Sequence, residues 1–180
     1  MIYKTIIEKL NNTGISYTVV GMLGAIIQGM DITTMDIDIV VKKETDFAKI
    51  AEILKDMFFM PVNEAAYKCD YNKIIRAKKG EAMAFNDPYT GVCVDLLWEI
   101  DGFSHEKLFK ISKTTDWEDI PVRVLDIEDI AKSKEIAGRA KDLAVLPRLR
   151  EVISDLKSIS TKEIETLKNN SESNTNDMSP

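Results

Sequence analysis

Three aspartates have the residue type and spacing for chemistry. Asp36 and Asp38 alternate with isoleucines in the run DIDIVV, and Asp95 stands among apolar residues in VCVDLLW, 57 positions after Asp38. Side chains alternate faces along an extended strand, so Asp36 and Asp38 project from one face about 7 Å apart. Two carboxylates so placed repel each other unless a positive charge lies between them. Hard divalent cations such as magnesium take oxygen ligands and suit such a pair. In the later run Asp95 shares a face with Cys93 and Leu97, while Val94, Leu96 and Trp98 take the other. If the two runs are neighbouring strands, three carboxylates converge, which is what metal-assisted phosphoryl or nucleotidyl transfer needs. A D-x-D pair by itself is more often a solvated strand end; Asp95 downstream and a glycine turn upstream favour the metal site.

That upstream turn is GMLG, residues 21–24, directly after the β-rich run SYTVV. Small residues allow close backbone approach, and N–H groups at a helix start can receive phosphate oxygens. Thr33 and Thr34 lie just before the aspartates and read as turn and strand residues or as ligands. His105 is the only histidine, which excludes a multi-histidine metal site, and SHEK reads as a helix start with His105 capping or exposed. Trp98, opposite Asp95 in the strand alternation, reads as core. Ser-His-Asp and phosphate-loop motifs are absent. Cys69 and Cys93 have no zinc-like spacing and read as reduced thiols.

The elements that must position these residues follow from periodicity. Ile2, Ile6 and Leu10 predict a helix over 2–12 with Gly14 as its cap. SYTVVG predicts a strand, MLGAIIQG a short helix ending near Gly29, and 36–41 a second strand. Phe47, Ile50, Leu54, Met57 and Phe58 predict a helix over 46–59 with Thr45 or Asp46 as N-cap and Pro61 as its stop. Between Val62 and Gly91 only AMAF, followed by the NDPYTG turn, suggests a strand pairing antiparallel with VCVDLLW. IPVRVL predicts another strand, and 126–160 one or two helices with breaks at Gly138 or Pro147. The expectation is an α/β (α+β) fold: one domain over 1–160 with a mixed sheet, C-terminal helices from about 126, and a disordered polar tail over 168–180.

Bulk composition sets outer limits. The chain has 180 residues, 30 acidic against 24 basic, and a net charge of -6. The acidic balance argues against broad charge-driven capture of nucleic acid. The first residues, broken by Lys4, Glu8 and Lys9, read as neither signal peptide nor membrane span, so a cytoplasmic protein without membrane association is expected.

The order of these pieces, VVGMLGAIIQGMDITTMDIDIVV, then VDLLW, then AKSKEIAGRAKD, resembles the nucleotidyltransferase superfamily, in particular small bacterial members related to the minimal nucleotidyltransferases and AbiEii-type toxins. The resemblance covers roughly residues 15–150. It implies a nucleotidyltransferase-like sheet and a catalytic, metal-binding set of Asp36, Asp38 and Asp95 that holds Mg2+ or Mn2+. Asp95 would assist deprotonation of the acceptor hydroxyl. Gly21 and Met22 stand where the family carries its Gly-Ser pair. With Thr34, Lys134, Arg139 and Lys141 they would bind a nucleoside triphosphate such as ATP, although the basic residues fit a solvated helix face equally well. Asp142 completes the K-x4-R-x-K-D pattern. Met22 and Ile32 depart from the usual small residue and arginine. The implied function is transfer of a nucleoside monophosphate to a hydroxyl on a small molecule, a protein or a tRNA end. The alternative is a catalytically weak binding module acting with a partner protein in a toxin–antitoxin-like system; a homo-oligomer is also compatible.

Overall fold

The computed structural model describes residues 2–76 and 81–176. Helix α1 (Ile2–Asn12) buries Ile6, Ile7 and Leu10 and ends before Gly14, whose φ of 68° supplies the left-handed turn. Strand β1 (Tyr17–Val20) is wholly buried and runs into α2 (Gly21–Ile27), after which β2 (Asp36–Val41) returns antiparallel to β1. Then follow α3 (Asp46–Asp56), β3 (Met60–Pro61), α4 (Glu64–Lys68), α5 (Tyr71–Arg76), β4 (Ala82–Asn86) and β5 (Cys93–Leu97). The chain continues with α6 (His105–Ile111), β6 (Lys113–Trp117), β7 (Ile120–Val124), α7 (Ile127–Ala137) and α8 (Ala140–Asn176).

The strands form one mixed sheet in the order β3-β4-β5-β2-β1-β7-β6. β2 is parallel to β5 and β1 to β7, while the other neighbouring pairs are antiparallel. The sheet therefore buries both faces. On one face Val19, Ile37, Ile39, Val94 and Leu96 join Ile6 and Leu10 of α1 and Phe47, Ile50 and Leu54 of α3. On the other, Val20, Val40 and Leu97 meet Ile127 and Ile130 of α7 and Leu146, Leu149 and Val152 of α8. The second face also carries the aspartates, because Asp38 and Val40 share one parity along β2.

The expected α1, β1, α2, β2, the β4–β5 antiparallel pair and β7 are all present. Other boundaries differ for physical reasons. The helix expected over 46–59 ends at Asp56, before Pro61 is reached. Phe58 adopts φ 66°, and its N–H bonds Lys55 O while that of Phe59 bonds Leu54 O, the paired bonds of a Schellman ending. Phe59 is thereby buried and Phe58 is left 74% exposed, contrary to the helical stripe that included it. Pro61 pairs instead with Phe85 at the sheet edge, where a missing N–H is tolerated.

Gly138, with φ 64°, does separate α7 from α8, whereas Pro147 lies inside α8 without breaking it. Leu146 and Leu149 on either side are anchored in the core, and that packing outweighs the one backbone bond proline removes. Strand β6 went unpredicted because KTTDW is only partly apolar. It pairs with β7 through a two-residue turn, Glu118-Asp119, with φ of 50° and 66°, a conformation normally signalled by Asn-Gly or Asp-Gly. The backbone of 168–176, expected without regular structure, continues α8; residues 177–180 lie outside the described residues. Among the described residues no helix is long and apolar enough to cross a membrane.

Candidate active site

Parallel pairing of β2 with β5 places Asp38 directly beside Asp95, with Asp36 beside Cys93. A one-residue slip would send one of the two to the opposite face, so the apolar alternation of both strands, Ile37 and Ile39 beside Val94 and Leu96, holds the carboxylates together. Asp36 is exposed at the strand start, and Asp38 and Asp95 are half-buried.

Gly21 closes the site from β1. A Cβ on it would lie 1.9 Å from Asp38 Oδ2 and 2.8 Å from Cγ. Its φ of 63° is also strained for any side-chain-bearing residue. Two independent requirements therefore meet at this glycine: the turn from β1 into α2, and room for the Asp38 carboxylate.

A cleft of about 330 Å³ spans this part of the molecule. It is lined by Gly21, Met22, Thr34, Asp36, Asp38 and Asp95 from the sheet side and by Lys134, Arg139 and Lys141 from the helices. The nine residues that the sequence assigns to metal, catalysis or nucleotide binding thus line one cleft. Thr34 also fixes the entry to β2, its hydroxyl accepting from Asp36 N at 3.2 Å. Sequence reasoning missed Asp101 and Ser133, which line the same cleft. Ser133 was legible in principle: Ile130, Ser133, Lys134 and Ala137 follow i, i+3, i+4, i+7 spacing, and all four face the cleft from α7.

Met22 and Ile32, the two departures noted in the sequence, are both partly buried against the α7–α8 core. Met22 also lines the cleft, whereas Ile32 does not. His105 is not a cap. Ser104 precedes α6, and the imidazole is half-buried, stacked on Trp98 with centroids 3.6 Å apart and bonded through Nε2 to Val41 O at 3.0 Å. Trp98 packs on the α1–α3 side, away from the aspartates.

Asp142 organises the cations. It is 1% exposed, accepts from Lys134 Nζ at 3.0 Å through Oδ1, and accepts from Arg139 Nε through Oδ2. Burial alone would push its carboxyl up, but the bonds from Arg139 and Lys134 outweigh that and hold it below the ordinary range. Lys141, one position earlier, is exposed and forms no ion pair among the described residues.

The aspartates show the opposite balance. Asp38 is pushed up to about 7, first by burial and then by the neighbouring charge of Asp95, against the pull of Lys134 and Lys141. Burial and Asp36 raise Asp95 as well, with Lys141 opposing. The site thus holds more negative charge than its own cations neutralise. Among the described residues no three carboxylate, histidine or cysteine side chains form a ready-made coordination cluster; the convergence is one of strand register and shared cleft.

The fold has solved counterparts. A candidate nucleotidyltransferase from Thermotoga maritima superposes with a TM-score of 0.55 at 19% identity, covering 83% of this chain and 91% of that one. The fold is that of the nucleotidyltransferases. The lincosamide antibiotic adenylyltransferase LnuA, solved with lincomycin, shares it with a TM-score of 0.59 at 12% identity over 83% of this chain and 95% of its own. The antibiotic-resistance factor ANT(2'')-Ia does so with a TM-score of 0.57 at 9% identity over 94% and 95%. No protein-family profile and no curated protein matches the chain. The nucleotidyltransferase fold is thus carried by tertiary structure, at identities where sequence similarity has faded.

Proposed function

We propose that the chain is a metal-dependent nucleotidyltransferase that moves a nucleoside monophosphate from a nucleoside triphosphate to a hydroxyl acceptor. The observation that carries this reading is the pairing of Asp38 with Asp95 across β2 and β5, in a cleft that also holds Lys134, Arg139 and Lys141. Carboxylates and cations in one cleft suit a ligand that brings both a divalent ion and phosphates.

The residues fit a hard cation on their own chemistry. Their donors are oxygens, Gly21 leaves the space that Asp38 occupies, and the carboxyls of Asp38 and Asp95 are raised first by burial and then by neighbouring carboxylates. Asp36 and Asp38, with Asp95, would hold Mg2+ or Mn2+. Such an ion, when bound, neutralises charge on the triphosphate and on the attacking oxygen. Lys134 and Arg139, fixed by Asp142, and the exposed Lys141 would bind phosphate oxygens, with Thr34 and the Gly21-Met22 backbone alongside. Asp95, with its proton affinity raised, suits removal of the acceptor hydroxyl proton. The acceptor oxygen then bonds the α-phosphorus, the bond from that phosphorus to the bridging oxygen breaks, and pyrophosphate leaves.

Two structural counterparts are linked by name to antibiotics, which makes a small hydroxylated molecule the first acceptor class to test, ahead of protein or tRNA ends. The net charge of -6 disfavours a broad RNA surface. We place the activity in the cytoplasm. The test is transfer of label from α-labelled triphosphates in Mg2+ or Mn2+, compared with the Asp36→Ala/Asp38→Ala double variant. Metal-dependent transfer that the double variant lacks supports the reading. No nucleotide binding with either metal, or unchanged transfer in the variant, overturns it; binding without transfer favours the module that acts through a partner protein.

A further inference from the structure

At the far end of the sheet a second cleft of about 240 Å³ opens beside the start of β1, the end of β2 and the β6–β7 hairpin. Lys42 directly follows β2 and is four residues beyond Asp38, about 13 Å along the strand, so this cleft is separate from the aspartates. Its charged lining is Lys42 and Arg123, and no carboxylate lines it. Ser16 and Thr114 add hydroxyls, Thr114 lying opposite Arg123 in the β6–β7 register.

Among the described residues, many cations of this acidic chain are matched by carboxylates, and these two, like Lys141, are not. Lys49, Lys55, Lys68, Lys73, Arg148 and Arg150 each have a carboxylate within 3.0 Å. Among the described residues neither Lys42 nor Arg123 forms an ion pair. Lys42 Nζ lies 5.5 Å from the centroid of the Phe109 ring, and one terminal nitrogen of Arg123 donates to Phe109 O. Arg123 Nε is buried with no partner. A partly buried guanidinium and an exposed ammonium lining one concavity, with no carboxylate facing them, favour an anion with several acceptor oxygens.

We infer that this cleft binds a phosphate-sized oxyanion, as inorganic phosphate or as the terminal group of a small phosphomonoester, through Lys42, Arg123 and Thr114. The test is a 1H–15N NMR titration of the full chain with sodium phosphate against sodium chloride at matched ionic strength, followed by ribose 5-phosphate. Saturating shifts are expected at the amides of Lys42, Thr114 and Arg123. Losing one charged contact in Lys42→Gln should weaken this binding about tenfold. Binding of phosphate but not of the sugar phosphate assigns the cleft to the free ion; equal or tighter binding of the sugar phosphate assigns it to phosphomonoesters. Arg123→Gln should abolish binding, and if that variant does not fold, Lys42→Gln decides. Shifts confined to residues 134–142, shifts that do not saturate, or unchanged affinity in Lys42→Gln overturn the inference.

Discussion

Replacing Asp38 by asparagine should make the metal-free protein more stable while removing its proposed chemistry. The carboxyl is pushed up to about 7 from 3.8 by burial and by Asp95. Each pKa unit corresponds to about 1.4 kcal/mol, so ionised Asp38 costs the folded state up to about 4 kcal/mol. The sign follows from the folded state holding the proton more tightly than the unfolded one. The cost is absent below the unfolded pKa, grows as pH rises from about 4 to 7, and is complete above that. Asparagine keeps the shape and discards the charge. We expect a gain of about 1 to 4 kcal/mol at pH 8 with chelator present, which is roughly 3 to 12 °C in Tm for a domain of this size. At pH 5 the gain should fall to less than half. Thermal unfolding at both pH values, with and without Mg2+, measures this, and only the parent should gain stability from the metal. A variant no more stable than the parent at pH 8, or one with the same gain at both pH values, would refute the electrostatic reasoning.

Three further outcomes follow from the geometry. Gly21→Ala puts a methyl group 1.9 Å from Asp38 Oδ2, so it should displace the carboxylate and lower transfer on the order of a hundredfold; circular dichroism should show the fold retained, and near-parental transfer would contradict the close-approach argument. Asp142→Asn releases Lys134 and Arg139, so steady-state kinetics should show KM for the triphosphate rising more than kcat falls. The depressed pKa of Asp142 makes its contribution to stability full above the ordinary aspartate range and lost on acidification, so the parent's stability advantage over Asp142→Asn should shrink as pH falls below about 4 in urea titrations. Phe58→Gly removes an exposed side chain from a left-handed position and should raise stability by about 1 kcal/mol in urea unfolding; a loss would show that Phe58 contributes packing.

Much of the site was legible because its signals are local. Alternation along DIDIVV and VCVDLLW put the aspartates on the face away from Ile37, Ile39, Val94 and Leu96, and the structure keeps that division. The cap at Gly138 is equally local, since a left-handed helix ending favours glycine there. Where propensity and packing disagreed, packing prevailed: Phe58 fits a helical stripe yet lies outside the helix, and Pro147 reads as a break yet sits between anchored leucines. The β6–β7 turn was hidden because Glu118-Asp119 adopts a backbone conformation that its residue types do not announce.

Sequence by itself determined the three aspartates, their common faces and the order of elements that carry them, because strand alternation and helical spacing act over a few residues. It could not determine which strands are neighbours. Pairing of β2 with β5 joins residues 57 positions apart, and only the assembled sheet, buried on both faces, sets that register. The same holds for the Gly21 contact with Asp38 and for Asp142 gripping Lys134 and Arg139. Each depends on how elements pack, and that packing sets opposite shifts: burial and then neighbouring carboxylates raise Asp38 and Asp95, whereas the bonds from Arg139 and Lys134 lower Asp142 against its burial.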